Sequence, residues 1–382
     1  MFQTPVNWHC RNFQYRDLTV SVSTADPTQL SWLEEFLCPQ FAIAYGGSPN
    51  CHVAVVMDTR QYMDTFRRGP RPDGRHINCF ALDTGLVRLP MWQSLDDTQV
   101  IFDREFKLFY VVNPDRSQVR ILAPSGSRSV RTALMRLVRE FAMTSSVRAG
   151  ALIIHGAAFG VGDRGVVIAG PKKAGKTTLL MHVLQHVAAR FVSNDRVVAA
   201  WEDGGPTLYG MPTIVTVRQQ GARRLRFLHE RLLASSYHER YTLAETGQRI
   251  GRVDRPDRYG RWSMSPAQFC ELLQVRPLAQ VPAYALVFPR VTGQPGIIEL
   301  NHLSADEAAV QLASALFRAH SSLKTAEMLT SADGPPRERA SFDNLCRQLA
   351  SGVRSFTCAL GREAYQSGDS AEALVKQIIG SG

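Results

Sequence analysis

Two glycines, a lysine and a hydroxyl stand at the spacing G-x-x-x-x-G-K-[ST] in Gly170-Pro171-Lys172-Lys173-Ala174-Gly175-Lys176-Thr177. That spacing suits a grip on a nucleoside triphosphate. Backbone N–H groups and the positive end of a following helix converge on phosphate oxygens, and a compact ammonium neutralises them. The wide planar fork of arginine is a poor substitute for that ammonium. The chain uses six lysines against thirty-eight arginines, and three of the six, Lys172, Lys173 and Lys176, stand in this loop. Two residues outside it could join in phosphoryl transfer. Asp195 is a carboxylate able either to ligate Mg²⁺ or to take a proton from an acceptor. His155 interrupts an apolar strand ahead of the loop, where a lone histidine by itself reads as a hydrogen-bonded core residue.

The neighbouring elements must bring these groups together. Gly165-Val166-Val167-Ile168-Ala169 reads as a buried strand and Thr178–Leu184 as a helix, the context the loop needs. Ala151–Phe159 reads as an apolar strand, followed by a turn at Gly160–Arg164. The hairpin this predicts carries His155 toward the end of the sheet where the loop sits. Arg190–Val198 reads as one further short strand with the polar pair Asn194-Asp195 in its middle. The other strong apolar strand, Ala283–Phe288, ends in Pro289-Arg290 and offers no acid, which leaves Asp195 as the carboxylate to bet on.

A chain of 382 residues makes two domains, or one large one with additions, and its 45% hydrophobic and 20% charged content is that of a soluble globular protein. The formal net charge of +10 raises the question of nucleic acid. The arginines are scattered in ones and twos, not gathered in a basic tail or an aromatic-interleaved strip, which argues against it. An anionic substrate or an acidic partner accounts for the charge equally well. Seven widely spaced cysteines without a C-x-x-C pair read as buried reduced thiols. No signal-like or membrane-spanning apolar run is present, so a cytoplasmic protein without a membrane partner is expected.

Residues 1–148 read as an α+β domain. Its strands fall near Leu18–Val22, Phe41–Tyr45, Val53–Met57, Ile77–Leu82, Val100–Phe102 and Leu108–Val112, with a helix over Thr28–Leu37 opened by Asp26-Pro27. Val130, Leu134, Leu137, Val138 and Phe141 predict an amphipathic helix over Ser127–Met143, with Arg128, Arg131, Arg136 and Arg139 as a solvated surface. Residues 149–303 form the nucleotide domain, with further strands at Leu208–Met211 and Ile214–Val217 and a helix from Ser265-Pro266 through Leu273. The arginine-rich stretch of 249–261 reads either as a solvated loop or as an anion-handling lid. Residues 304–382 read as helical, over Ser304–Arg318 and Phe342–Ile379, around the turn-rich Thr330–Pro336.

Taken together, Ile154-His155-Gly156, the loop and Asn194-Asp195-Arg196 resemble the kinase domain of the HPr kinase/phosphorylase family, which is similar in core plan to phosphoenolpyruvate carboxykinase. The short interval from Thr177 to Asp195 is the telling part, because most P-loop enzymes place their acidic strand much further on. The resemblance covers roughly residues 150–218. It implies an α/β P-loop nucleotide-binding domain of that type, ATP and Mg²⁺ as cofactors, and a homo-oligomer. Carried over residue by residue, Gly170, Pro171, Lys172, Lys173, Ala174, Gly175, Lys176, Thr177 and Thr178 would hold ATP. Lys176 would contact the β- and γ-phosphates, Thr177, Asn194 and Asp195 would surround the metal, Asp195 would act as general base, and His155 would lie near the transferred phosphoryl group. Asn194 stands where the family has the first of two aspartates, and the signature that grips HPr is not recognisable. The activity implied is transfer of the γ-phosphoryl group of ATP to a hydroxyl, on a peptide or protein serine or on a small metabolite. The alternative is a non-catalytic, nucleotide-dependent binding or assembly protein with a degenerate site.

Overall fold

The computed structural model describes residues 8–69, 75–82, 85–94, 96–225, 227–228, 230–231, 241–242, 249–250, 261–317, 328–329 and 339–380. The chain is α/β with mixed sheets and divides into two compact units. Unit 1 comprises Met1–Ser145, Tyr241–Arg249 and Leu323–Pro336, and unit 2 comprises Ser146–Arg240, Ile250–Ser322 and Arg337–Gly382.

In unit 1, β1 (His9–Tyr15), β2 (Leu18–Thr24), β3 (Ala42–Ala44), β4 (Cys51–Met57), β5 (Arg75–Leu82), β6 (Gly85–Gln93), β7 (Gln99–Asp103), β8 (Leu108–Val112) and β9 (Gln118–Ala123) form one sheet. Its order is β3-β1-β2-β4-β9-β8-β7-β6-β5. The parallel pairs β2–β4 and β4–β9 sit inside an otherwise antiparallel sheet. Helix α1 (Pro27–Leu37) starts where Asp26 accepts from the Thr28 N–H, with Pro27 fixing φ in the first turn. Helix α2 (Thr59–Arg67) starts on Asp58 in the same way. Helix α3 (Ser129–Arg148) buries Val130, Leu134, Leu137 and Val138, as its periodicity predicts. Its arginines are not all a solvated surface. Arg139 is buried, and the Arg136 guanidinium lies 4.5 Å from the centroid of the Phe106 ring, because long cationic side chains cover apolar neighbours with their stems.

Unit 2 is built on β10 (Leu152–Val161) and β11 (Arg164–Ala169), followed by α4 (Lys176–His186), β12 (Arg190–Ser193), β13 (Arg196–Glu202), β14 (Gly205–Met211), β15 (Val215–Arg218) and α5 (Gln219–Arg224). The chain then passes through the unit 1 segment Tyr241–Arg249, where the two-residue strands β16 (Tyr241–Thr242) and β17 (Arg249–Ile250) pair with each other, and back in unit 2 β18 (Arg261–Met264) pairs with β15. Most of the arginine-rich stretch, residues 251–260, lies outside the described residues, as does Thr330–Pro336. Next come α6 (Pro266–Leu273), opened by a Ser265–Gln268 capping box, then β19 (Gln280–Val291), β20 (Ile298–His302) and α7 (Ala305–Ser314). The last elements are α8 (Arg339–Gly352), β21 (Arg354–Leu360) and α9 (Gly368–Ile379).

The main sheet runs β11-β10-β13-β14-β19-β21-β20, with β12 also on β10 and β11 also on β19. Both faces are covered, so alternate residues of β11 enter different cores. Val166 and Ile168 pack with Leu180 of α4, Phe269 of α6 and Leu374 of α9. Val167 and Ala169 pack with Leu312 of α7 and Leu349 of α8. A strand covered on both sides reads as a continuous apolar run, which is what Gly165–Ala169 shows.

Three expectations need correction. The C-terminal part is only partly helical, since Arg354–Leu360 forms β21 between β19 and β20. Arg190–Val198 is two strands with Asn194-Asp195 as a bend between them. The cysteines are free, but only Cys79, Cys270, Cys346 and Cys358 are buried, while Cys10 is exposed and Cys38 and Cys51 are half-buried. Among the described residues no helix is long and apolar enough to cross a membrane.

Candidate functional site

The Gly170–Thr177 loop leaves the sheet at the end of β11 and returns as α4. Gly170 has φ +146° and Gly175 φ +100°, backbone that L side chains rarely adopt. Space is equally restrictive at Gly175, where a Cβ would meet the Leu360 side chain at 2.8 Å. Between the glycines, Pro171, Lys172 and Lys173 are exposed, Lys173 in the left-handed region at φ 70°, and Ala174 is buried. Gly175 is also the N-cap of α4 and has no side chain to cap it, so the first N–H groups of the helix are left for an external acceptor. The Lys176 side chain turns back over the loop, donating to the carbonyl oxygens of Gly170 at 2.7 Å and Pro171 at 2.9 Å, and the residue is 8% exposed. Its ammonium is thus held inside the loop by oxygen acceptors. Thr177 and Thr178 are half-buried, and a Cβ on Gly221 of α5 would stand 3.5 Å from the Thr178 hydroxyl.

Strand β10 has two sides, and both change partner near His155. On one side β11 pairs with Gly156–Val161 and ends with Ala169 opposite Gly156, the residue after His155, and the loop begins at the next residue, Gly170. From there the edge of β10 is taken by residues 315–317. The His155 N–H donates to the Ala315 carbonyl at 2.8 Å, and the Phe317 N–H donates to the Ile153 carbonyl at 2.7 Å. On the other side, the Ala158–Ser193 pair of β12 is in register with the His155–Arg196 pair of β13, with the Asn194-Asp195 bend between them, and a bulge beyond Ala158 shifts the rest of β12, Phe159 lying opposite Phe191.

The bend decides where the acid points. In an unbroken ladder Asp195 would stand opposite Gly156 and share its face, turned away from His155. Instead the Gly156 N–H still donates to the Asp195 carbonyl at 3.0 Å, while Asp195 Oδ1 comes to 3.7 Å from His155 Nε2. Asp195 Oδ2 lies 3.5 Å from Arg196 Nε, and the Arg196 guanidinium lies 4.0 Å from the centroid of the Phe317 ring. Gly156 is required here, because a Cβ would meet the Ile168 carbonyl oxygen at 2.8 Å.

The two members of the polar pair do different things. Asn194 is 7% exposed, and its Oδ1 accepts from the Thr213 hydroxyl at 3.0 Å. Its oxygen is engaged in holding the bend. Asp195 and His155 are only partly covered, with side chains 28% and 22% exposed, so a substrate can reach them.

Helix α4 is anchored from below by a buried polar contact that sequence reasoning missed. His182 Nε2 lies 2.9 Å from Ser370 Oγ on α9, and that hydroxyl also reaches the Ala364 and Ser367 carbonyls. Carbonyls only accept, so the serine proton goes to them and Nε2–H is the donor to Ser370. Nδ1 has no hydrogen-bond partner among the described residues. Burial, and secondarily the neighbouring His186, push the His182 pKa down to about 4. The signal available in sequence was the pair His182 and His186 on one helix face, which carries no pointer to a partner 188 residues away.

Among the described residues no three His, Cys, Asp or Glu side chains converge as a metal site of their own. The chain matches no family model and no curated protein.

Proposed function

We propose that unit 2 is an ATP-dependent kinase of the HPr kinase type, which transfers the γ-phosphoryl group to a hydroxyl of a peptide, a protein serine or a small metabolite. One observation carries the reading: a carboxylate and an imidazole 3.7 Å apart stand one register step from the glycine-bounded loop that ends in an uncapped helix and a buried lysine. A triphosphate entering the loop takes over the Lys176 ammonium from the Gly170 and Pro171 carbonyls and receives the N–H groups at the start of α4. The donor set fits an anion of that size and charge.

Mg²⁺ would be held by the Thr177 hydroxyl and the Asp195 carboxylate, with the phosphate oxygens completing an oxygen shell. Asn194 contributes no charge and has its oxygen on Thr213, so the ion depends more heavily on the nucleotide. When bound, Mg²⁺ supplies charge neutralisation across the β- and γ-phosphates. The protein's own residues supply positioning. Asp195 accepts the acceptor's proton as the hydroxyl oxygen bonds to the γ-phosphorus and the bond to the β–γ bridging oxygen breaks, and ADP leaves. His155 Nε2 and the Arg196 guanidinium flank that carboxylate at 3.7 Å and 3.5 Å and restrict where it can point.

The same Asn194 motivates a second reading, a nucleotide-dependent binding module that does not transfer phosphate. Asp195→Asn separates the two. Under the kinase reading this variant binds ATP in the absence of Mg²⁺ within about twofold of wild type, while transfer with Mg²⁺ present falls by roughly a hundredfold or more. Transfer from radiolabelled ATP that persists in Asp195→Asn removes Asp195 as base, and a wild-type protein that binds ATP yet labels no hydroxyl acceptor favours the second reading.

A further inference from the structure

A cavity of about 290 Å³ opens beside the glycine-bounded loop, lined by Val291 at the end of β19, by Gly293 just after it, and by Gly361, Arg362, Tyr365 and Gln366 between β21 and α9. We propose that this cavity is the nucleoside subsite, receiving the base of the nucleotide whose phosphates occupy the loop. The inference rests on the kinase reading and adds the direction in which the nucleotide lies.

The loop has two ends with different neighbours. Gly170 follows Ala169, whose ladder partner Gly156 adjoins His155, and lies against Pro289, whereas Gly175 touches the cavity wall. A Cβ on Gly175 would stand 3.4 Å from the Val291 side chain and 3.6 Å from the Tyr365 hydroxyl. The reacting end of a triphosphate belongs beside Asp195 and His155. The nucleoside end must then leave past Gly175, where the cavity begins.

The walls suit a flat heteroaromatic ring. Val291 and the Tyr365 ring offer apolar and aromatic surface, and the Tyr365 ring is set by an edge contact with His182 of α4, centroids 5.2 Å apart. Arg362 and Gln366 are exposed at the rim and supply polar groups for a ring edge. The rim is built in advance. Gly361, Arg362 and Glu363 donate backbone N–H groups to the carbonyls of Ile297, Gln294 and Gly296, and Arg362 Nε donates to the Gly293 carbonyl at 2.6 Å. The two loops approach so closely at Gly361 that a Cβ there would meet Gly296 backbone. Pre-ordered walls of this kind reduce the entropy lost when a ligand binds.

The test compares Mg-ATP with Mg-tripolyphosphate, which fills the loop and has no base, by titration calorimetry on the full chain. Wild type is expected to bind ATP at least about tenfold more tightly than tripolyphosphate. Tyr365→Ala and Arg362→Ala are expected to remove most of that difference while leaving tripolyphosphate affinity within about twofold, and Lys176→Ala is expected to weaken both ligands. Should Tyr365→Ala fail to fold, Arg362→Ala and the cavity-filling Gln366→Trp, both at exposed positions, carry the comparison. Equal affinity of wild type for the two ligands, or undiminished ATP affinity in the folded cavity variants, overturns the subsite. Tripolyphosphate binding that depends on Lys176 leaves the loop reading standing in either case, and a folded wild type that binds neither ligand removes the loop reading and the subsite with it.

Discussion

His182 is the residue whose protonation the fold opposes most directly, and it sits on the helix that carries Lys176. Its side chain is fully buried, its Nε2–H is committed to Ser370, and a second proton on Nδ1 would bury a charge with no acceptor. With a folded pKa pushed down to about 4 against an ordinary value of 6.5, the unfolded chain binds a proton in that window and the folded chain does not. The stability His182 confers is therefore complete above pH 6.5 and is lost as pH falls toward 4, by up to about 3 kcal/mol. Urea unfolding followed from pH 7.5 to 4 should show a steep loss in wild type and a flatter profile in His182→Asn. Parallel profiles would assign the acid sensitivity elsewhere. At the same scale Asn194 and Asp195 show how adjacent polar residues divide labour. Asn194 secures a bend through Thr213, and that bend points Asp195 toward His155.

At the scale of elements, strand β10 organises the site because its partners change on both sides at Gly156. An alanine there would drive a Cβ into the Ile168 carbonyl at 2.8 Å and part β10 from β11 at the point where the loop departs. Gly156→Ala is expected to cost roughly 1–3 kcal/mol in urea unfolding and to weaken ATP binding, because backbone cannot yield as a flexible side chain can. Gly204→Ala has nothing within 4 Å of its new Cβ and should stay within about 0.5 kcal/mol, which makes it the control. Equal effects of the two substitutions would mean that the close approach is relieved without cost. How far these elements could be read in advance follows from how local their causes are. The β10–β11 hairpin, the start of α4 and the capped starts of α1 and α6 were legible because periodicity, glycine spacing and cap residues lie within a few positions of what they specify. The edge contact of residues 315–317 on β10 was not, since nothing in Ala315-Leu316-Phe317 announces a partner at Ile153–His155. Strand β21 left a faint trace, the alternation of Ser355-Phe356-Thr357-Cys358-Ala359-Leu360, which its helical neighbours masked. The bend at Asn194-Asp195 looks like strand interior in the sequence because its cause, the Thr213 hydroxyl, stands 19 residues on.

At the scale of the whole molecule, residues 304–382 resemble an appendage only in the linear sequence. Strand β21 separates β19 from β20 in the main sheet, α7 and α8 cover one face, and α9 lies against α4. Phe356, Cys358, Leu360, Leu349, Leu374 and Ile378 are all nearly or fully buried. Full burial of a Leu, Ile or Phe side chain contributes about 1.5–3 kcal/mol before the cost of ordering the chain, so losing this set removes a substantial part of what holds unit 2 together. A chain ending at residue 303 would also leave β19 with an unpaired edge from Ala285 onward, and such an edge pairs readily with other chains. The same truncation removes Gly361, Arg362, Tyr365 and Gln366 from the cavity and Phe317 from beside Arg196. The 1–303 chain is therefore expected to be insoluble, or soluble without a cooperative transition in unit 2 and without ATP binding, as read by circular dichroism on heating and by calorimetric titration. A 1–303 chain that melts cooperatively and binds ATP as tightly as the full chain would show that the loop, β10 and the Asn194-Asp195 bend are self-supporting. With β21 holding the centre of the sheet and residues 315–317 holding the edge beside His155, we expect the opposite: the site forms only when the last fifth of the chain has closed the sheet around it.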